Sequence, residues 1–153
     1  MKNLPRYRKC FVCGADNACG LQSHFQTDGQ RVFYDFTPRE HHVGYRNRVH
    51  GGIMSAALDE VMGWAVYVAT RQMFYTLEIT VRFIKPLTPG TPVRAIGEFA
   101  GSEKLYHNAR ARLVGEDGTI YARSTGKYVQ IPPDEAKEVL GYLDGETEGL
   151  FDL

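Results

Sequence analysis

The longest apolar stretch of the chain, residues 53–69, has the pattern of a buried helix. Twelve of these seventeen residues are Ala, Val, Ile, Leu, Met or Trp, and none is proline. At 3.6 residues per turn they occupy nearly every face, which is typical of a helix surrounded by protein. Asp59 and Glu60 interrupt the stretch, which is also short for a membrane span. We therefore predict a buried helix that carries two adjacent carboxylates.

Elsewhere, apolar and polar residues alternate with the period of two that is typical of β-strands. Predicted strands cover residues 21–27, 31–37, 74–84, 91–100, 104–114 and 119–131. Asp28-Gly29, Gly101-Ser102 and Glu116-Asp117-Gly118 are turn sequences that favour hairpins. The strand after the helix is predicted to have one apolar face, which consists of Tyr75, Leu77, Ile79, Val81 and Phe83. Beyond the last strand, Asp134 is a suitable N-cap for a short helix that ends near residue 143.

The predicted order of elements is two strands, the long helix and four strands, the last three connections being short enough for antiparallel hairpins. One apolar helix and one antiparallel sheet bury each other's apolar faces in an α+β domain. A length of 153 residues is typical of one domain with its own core. We expect one domain over residues 1–153, with a cysteine-containing leader at 1–20 and a short helix and acidic tail at 133–153. We expect residues 145–153 to be loose.

The net charge is zero, but the charges are unevenly distributed. Residues 133–153 contain seven acidic residues and one lysine, so the rest of the chain has a positive excess. This positive excess suits the binding of a phosphorylated small ligand such as coenzyme A. The alternative is an ordinary solvated surface with an acidic tail. The basic density is below that of nucleic-acid-binding proteins, and no apolar run follows the basic N-terminus as in a secretory signal. We therefore expect a cytoplasmic protein without nucleic-acid or membrane partners.

The three cysteines lie close together near the N-terminus. Cys10 and Cys13 form a Cys-x-x-Cys pair, which supplies half of the ligands of a closed zinc site. Cys19 and His24 are candidates for the other two ligands, but the chain has no second paired motif. We therefore predict no bound metal and a tight turn with small buried thiols, with metal binding or redox use as the alternative.

Several motifs together resemble one family of enzymes. They are Val49-His50-Gly51-Gly52, Leu58-Asp59-Glu60, the strand at 76–83 and Lys85-Pro86. In this order and spacing they resemble the hotdog-fold acyl-CoA thioesterases of the phenylacetate-pathway and 4-hydroxybenzoyl-CoA type. The resemblance extends from residue 10 to about residue 131 and implies a six-stranded antiparallel sheet wrapped around a long central helix.

The resemblance also implies roles for individual residues. Asp59 matches the catalytic carboxylate, and the backbone N–H of Gly51 matches the group that polarises the thioester carbonyl. With a one-residue gap in the alignment, Thr76 matches a hydroxyl that helps to hold the attacking water. Glu60 is either a second catalytic carboxylate or an interface residue. The candidate substrate-binding residues around them are His50, Gly52, Asn47, Arg46, Ser55 and Arg82.

Physical chemistry supports these implied roles. A helix N-terminus offers unpaired N–H groups and a partial positive charge, and two glycines allow a substrate to approach the backbone. Ser55, Asp59 and Gly63 share one stripe of the helix with Gly52, so we expect space for an acyl chain beside the carboxylate. His50 either fixes the turn or serves as a base, and Arg46 either contacts ligand or is solvated.

We expect an enzyme that hydrolyses acyl-CoA thioesters without a cofactor. A thiol leaves readily as thiolate, so one carboxylate and an oxyanion site suffice for this reaction. The carboxylate acts as a general base or as a nucleophile. The alternatives are a hotdog dehydratase, which needs a paired acid and base, and a non-catalytic acyl-CoA-binding protein. We expect a homodimer or a dimer of dimers with the active site at the subunit interface, because open sheet edges favour pairing.

Overall fold

The computed structural model describes residues 1–144 of the chain, so the segment predicted to be loose, 145–153, lies outside the described residues. The helices are α1 (Gly51–Thr70) and α2 (Pro133–Gly141), and one turn of 3-10 helix covers Glu40–His42. The strands are β1 (Lys2–Asn3), β2 (Arg6–Tyr7), β3 (Phe25–Thr27), β4 (Arg31–Phe36), β5 (Val43–Tyr45), β6 (Arg48–Val49), β7 (Phe74–Phe83), β8 (Val93–Ser102), β9 (His107–Gly115), β10 (Ile120–Gln130) and β11 (Leu143–Asp144).

Seven of these strands form one antiparallel sheet in the order β1-β3-β4-β8-β9-β10-β7. The six predicted strands are all present, and the two-residue strand β1 extends the sheet beside β3. Helix α1 packs across β4, β8, β9, β10 and β7. The predicted α+β arrangement, an antiparallel sheet around one long helix, is therefore confirmed.

The predicted buried helix is present and begins two residues before the apolar stretch. His50 is its N-cap, and Arg71 ends it in the left-handed conformation with φ of 62°. Ten of its twenty residues are buried. At Gly97 on β8 a Cβ atom would lie 2.2 Å from the carbonyl oxygen of Val61, so the absence of a side chain lets helix and sheet pack closely. Within residues 1–144 no helix is long and apolar enough to cross a membrane.

The predicted apolar face of β7 is wrong in its first half. A bulge opposite the Lys127/Tyr128 step leaves Leu77 without a partner on β10 and reverses the alternation of side chains. Ile79 and Val81 pack against the core, whereas Tyr75 and Leu77 are 48% and 60% exposed. Regular alternation cannot predict a bulge, because one inserted residue moves every preceding side chain to the other face.

Two predicted boundaries differ from the structure. Strand β8 continues through Gly101, which has φ of 110°, and the turn into β9 lies at 103–106. Helix α2 has Pro132 as its N-cap, without a side-chain hydrogen bond, and Asp134 lies in the first turn. Pro133 follows at the first helical position, which suits proline because its fixed φ is helical and its missing N–H would have no intrahelical partner there.

The N-terminal leader packs beside α1 and is held by contacts at its start and in its middle. Leu4 N–H donates to the carbonyl of Phe25 at 2.9 Å, and β2 pairs with β11. The phenolic hydroxyl of Tyr34 donates to the carbonyl of Val12 at 2.6 Å. These contacts bring the cysteine pair of the leader against the central helix.

Candidate functional site

The N-terminus of α1 is built around His50. Its Nδ1 accepts the N–H of Gly52 at 2.8 Å, and its carbonyl accepts the N–H of Ile53 at 3.0 Å. The N–H of His50 donates to the carbonyl of His42 at 2.9 Å, which ties the preceding loop to the helix. His50 and Gly52 are thus in direct contact, and the imidazole satisfies a backbone donor. This arrangement favours the turn-fixing role of His50.

The N–H of Gly51 is the backbone donor of this helix start that finds no acceptor within residues 1–144. The ring of Phe83 lies over the glycine, and a Cβ atom there would be 3.0 Å from its Cζ. Beside it opens a cavity of about 390 Å³, to which Arg48 and Lys85 contribute. An unpaired N–H at a helix start with two cations near it is suited to binding an anionic or carbonyl oxygen.

Asp59 is held by two hydroxyl groups from the sheet. Thr76 Oγ1 lies 3.1 Å from Oδ1 and 3.4 Å from Oδ2, and the phenolic hydroxyl of Tyr128 lies 3.0 Å from Oδ1. The same phenol lies 3.1 Å from the backbone carbonyl of Asp59. Partial burial raises the pKa of Asp59, and the hydrogen bonds from Tyr128 and Thr76 oppose the rise. Oδ1 therefore has two donors nearby, and Oδ2 has one at a longer distance.

Thr76 reaches Asp59 because of the bulge in β7. Without it, the alternation would put Thr76 on the face opposite Ile79 and Val81. With Leu77 as the extra residue, Thr76 faces the helix together with them.

Tyr128 on β10 was missed by the sequence reading. It is fully buried, burial raises its pKa, and the negative charge of Asp59 raises it further. Its ring packs edge-on to Phe74 at 5.3 Å, and the absence of a side chain at Gly126 makes room for it. One pattern could have revealed it. The helix-facing positions Ala122, Ser124 and Gly126 are small, so a tyrosine next in that series has both space and a buried hydroxyl that needs a partner.

Glu60 does not join Asp59, although the two are adjacent. Its side chain lies on a different face of α1, where Oε1 is 3.9 Å from the sulfur of Cys10. Burial raises the pKa of Glu60 to about 8, with smaller contributions from Cys10 and Asp59. At neutral pH this carboxyl group is therefore mostly protonated.

The other predicted site residues are more dispersed. The hydroxyl of Ser55 donates to the carbonyl of Gly51 at 2.9 Å, so it is used within the helix. Asn47 has φ of 54° in the exposed turn between β5 and β6, next to the exposed Arg46. Arg82 is exposed on β7 and pairs in register with Arg123. These last three residues are not gathered around Asp59.

The expected space at Gly63 is filled. A Cβ atom there would lie 2.3 Å from Cε2 and Cζ of Phe74, so the ring of Phe74 packs directly on the glycine. At Gly63, therefore, the ring of Phe74 occupies the space that we expected for an acyl chain beside the carboxylate. A much larger cavity of about 890 Å³ lies elsewhere, bordered by Asp35, Arg39 and Arg94, and includes none of the predicted site residues.

Comparison with known proteins identifies the family. A model of the thioesterase superfamily matches residues 47–122, which include the start of α1, Asp59 and Thr76. The chain belongs to the thioesterase superfamily. No curated protein sequence matches this thioesterase-superfamily chain.

Solved structures with the same architecture support the hotdog fold. The Escherichia coli PaaI protein from the phenylacetic acid degradation operon is 17% identical with a TM-score of 0.66, over 73% of this chain and 81% of that chain. A mutant of the phenylacetic acid degradation protein PaaI from Thermus thermophilus is 21% identical with a TM-score of 0.61, over 69% and 88%. Zebrafish thioesterase superfamily member 2 is 13% identical with a TM-score of 0.65, over 74% and 88%. The thioesterase-superfamily chain therefore has the hotdog fold.

Proposed function

We propose that the protein hydrolyses acyl-CoA thioesters, with Asp59 as the catalytic carboxylate. The observation that carries this proposal is the environment of Asp59. A partly buried carboxylate of raised pKa is held on the central helix by the hydroxyls of Thr76 and Tyr128. Buried acids in such positions are costly unless they are used, and perturbed carboxylates are typical of catalytic sites. Membership of the thioesterase superfamily supports the same reaction.

In this mechanism Asp59 acts as a general base. The hydroxyls of Thr76 and Tyr128 lie closest to Oδ1, so Oδ2, which has only the longer 3.4 Å contact with Thr76 Oγ1, is the oxygen that binds a water molecule. The water loses a proton to the carboxylate as its oxygen attacks the thioester carbon. The negative charge that develops on the carbonyl oxygen is stabilised by a Gly51 N–H, a contribution that is typically about 10²- to 10³-fold in rate. Coenzyme A then leaves as a thiolate.

The two parts of the site are too far apart in one chain to act on one thioester. Gly51 and Asp59 are eight residues apart on α1, which at 1.5 Å per residue is about 12 Å along the axis. The attacking water and the carbonyl oxygen must both lie within about 3 Å of the groups that act on them. We therefore propose that Asp59 of one subunit acts with Gly51 of its partner in a homodimer or a dimer of dimers.

The edge of the sheet provides a surface for that dimer. Strand β7 ends the seven-stranded order, and its outer edge is unpaired within residues 1–144. Leu77 is 60% and Phe83 is 52% exposed along this edge. Exposed apolar edge strands favour pairing with another chain. Light scattering should give a mass of at least twice the 17.2 kDa of the chain, and a monomer at micromolar concentration would contradict the shared site.

Arg48 and Lys85 are proposed to bind the phosphates of coenzyme A. Both border the cavity beside Gly51, and Lys85 precedes Pro86 in a loop that leaves the end of β7. Cations at this place put the charged part of the substrate near the carbonyl-binding N–H. Replacing Lys85 by Ala should raise KM more than it lowers kcat.

The dehydratase alternative has less support. That reaction needs an acid and a base on opposite sides of the substrate, commonly His with Asp or Glu. Here Nδ1 of His50 accepts the N–H of Gly52, so the ring is fixed as the helix cap. Incubation with a panel of acyl-CoAs separates the functions, because a hydrolase releases free thiol, a dehydratase removes water without thiol, and a binding protein does neither.

A further inference from the structure

The cysteine pair of the leader lies in a turn whose geometry suits a disulfide. Gly14 N–H donates to the carbonyl of Cys10 at 2.9 Å, and a Cβ atom at Gly14 would lie 2.4 Å from that oxygen. Such a turn brings residues three apart in sequence to the Cα separation that disulfides span, about 4.4 to 6.8 Å. Both thiols are free, both side chains line the same cavity, and each thiol affects the pKa of the other.

The two sulfurs have different environments. Cys10 Sγ accepts the N–H of Val12 at 3.3 Å and of Cys13 at 3.5 Å, and it is partly exposed. The hydrogen bond from the Cys13 thiol, with these backbone donors, lowers the pKa of Cys10 to about 6. Cys13 is only 3% exposed, and its hydrogen bond to Cys10 and its burial raise its pKa. An accessible thiolate beside a buried thiol is the arrangement of an attacking and a resolving cysteine.

The half-buried carboxyl group of Glu60 completes this cluster. A cavity of about 240 Å³ is lined by eight residues, among them Cys10, Cys13 and Glu60. Glu60 Oε1 is 3.9 Å from Cys10 Sγ, and the negative charge of Cys10 adds to the burial that raises the pKa of Glu60 to about 8. Tyr7 is another titratable lining residue, and none of the eight lining residues in the described chain is Lys, Arg or His. Glu60 is thus poised to exchange a proton with the thiol pair.

We propose that Cys10 and Cys13 form a thiol–disulfide exchange site for small disulfides, with Glu60 as its proton carrier. The Cys10 thiolate attacks one sulfur of a disulfide RSSR, which forms a Cys10–SR bond and releases a thiolate that takes the proton of Glu60. The Glu60 carboxylate then removes the proton of the Cys13 thiol. Cys13 attacks Cys10 Sγ, which forms the Cys10–Cys13 bond and releases the second thiolate. The protein loses two electrons, and RSSR is reduced to one thiol and one thiolate.

The changing charges support this order of events. While Cys10 is a thiolate, its charge raises the pKa of both Cys13 and Glu60. When Cys10 enters a mixed disulfide that charge is lost, so Glu60 gives up its proton more readily and Cys13 becomes more acidic. The resolving step is therefore favoured only after the first step. The site is separate from Asp59, since Glu60 faces the leader and not the Thr76–Tyr128 side of α1.

The test is equilibration of the protein with oxidised and reduced glutathione at a series of ratios, followed by acid quenching, alkylation and peptide mass spectrometry. We expect Cys10 and Cys13 to lose their free thiols together, with the loss of two hydrogens, while the exposed Cys19 shows the response of a single thiol, which gains at most one glutathione. In the Cys13→Ser variant one glutathione should remain on Cys10. In the Cys10→Ser variant the buried Cys13 should not be modified.

Two further readouts distinguish exchange chemistry from a structural role. The rate at which Cys10 is alkylated should have its midpoint at a pH of about 6 in the wild type and at a higher pH in Cys13→Ser, which lacks the thiol donor. Glu60→Gln should slow disulfide closure while leaving the first alkylation intact. The proposal is overturned if both thiols stay free in fully oxidised glutathione, or if elemental analysis finds one zinc per chain held by them. Neither readout depends on hydrolysis.

Discussion

Replacing Asp59 by Asn removes the charge of the proposed base and preserves its shape. Asn is nearly isosteric, so packing along α1 should persist. Its side-chain oxygen can still accept from Thr76 Oγ1 and from the Tyr128 phenol, which lie 3.1 and 3.0 Å from Oδ1 in the wild type. The group lost is the negative oxygen that accepts a proton from water.

The expected loss in kcat follows from that single change. A missing general base costs about 10²- to 10⁴-fold, which is about 3 to 5 kcal/mol of transition-state stabilisation. Binding should survive, because Gly51, Arg48 and Lys85 are untouched. Stability should stay equal or rise slightly, because burial already disfavours the charged form of Asp59 and raises its pKa.

The assay is thiol release from acyl-CoA by wild type and variant, with melting temperature and oligomeric mass measured alongside. Glu60→Gln is the matched control on the neighbouring residue. Its carboxyl group is mostly protonated near neutral pH and faces the leader, so the neutral amide should cost less. If Asp59→Asn keeps the wild-type rate while Glu60→Gln loses activity, the assignment of Asp59 as the catalytic carboxylate is refuted. Unchanged rates in both variants would remove the chemical basis of the hydrolase proposal.

Three other predictions test the surroundings of the site. Tyr128→Phe should lower kcat and move the acid limb of the pH–rate profile to higher pH, because the phenol lowers the pKa of Asp59; an unmoved limb would contradict this. Gly63→Ala should destabilise the fold by about 1 to 3 kcal/mol in denaturant titrations, because the new Cβ atom would lie 2.3 Å from the ring of Phe74. Equal stability would contradict this, because it would mean that the ring moves aside without cost. Glu60 has a pKa of about 8 against an ordinary value of 4.5, so the folded state binds more protons between these values and unfolding free energy falls as pH rises through them. Above pH 6 the neighbouring Cys10 thiol, whose pKa is lowered to about 6, has the opposite effect on the unfolding free energy. The effect of Glu60 alone is therefore measured between pH 4.5 and pH 6. As the pH rises through this range, the free energy of unfolding of the wild type should fall by about 1 to 2 kcal/mol relative to that of Glu60→Gln, measured in thermal melts. Parallel pH profiles of the two proteins would contradict the raised pKa of Glu60.

The larger elements of the fold could be predicted because their patterns are long. Helix α1 and strands β7 to β10 have enough residues for periodicity to identify them. Strands β1, β2 and β11 have two residues each, which is too short for any period. The bulge at Leu77 also cannot be recognised from the periodicity of the sequence, and it determines which side chains of β7 face the helix.

The same distinction applies to the candidate site, where only residues close together in sequence could be placed in advance. Residues close together in sequence, such as His50 and Gly52, could be placed from the chain alone, because one helix start joins them. Tyr128 is 69 residues from Asp59, and Cys10 is 50 residues from Glu60. Contacts at such separations depend on how the sheet and leader close around α1, and local patterns contain no information about that closure.

The most direct test of the central claim is the release of free thiol from a panel of aromatic and medium-chain acyl-CoAs, by wild type and Asp59→Asn in parallel. We expect stoichiometric release of coenzyme A and free acid by the wild type for at least one substrate, and a loss of about 10²-fold or more in the variant. Tight binding of an acyl-CoA without thiol release, or loss of water in place of thiol, would contradict the account.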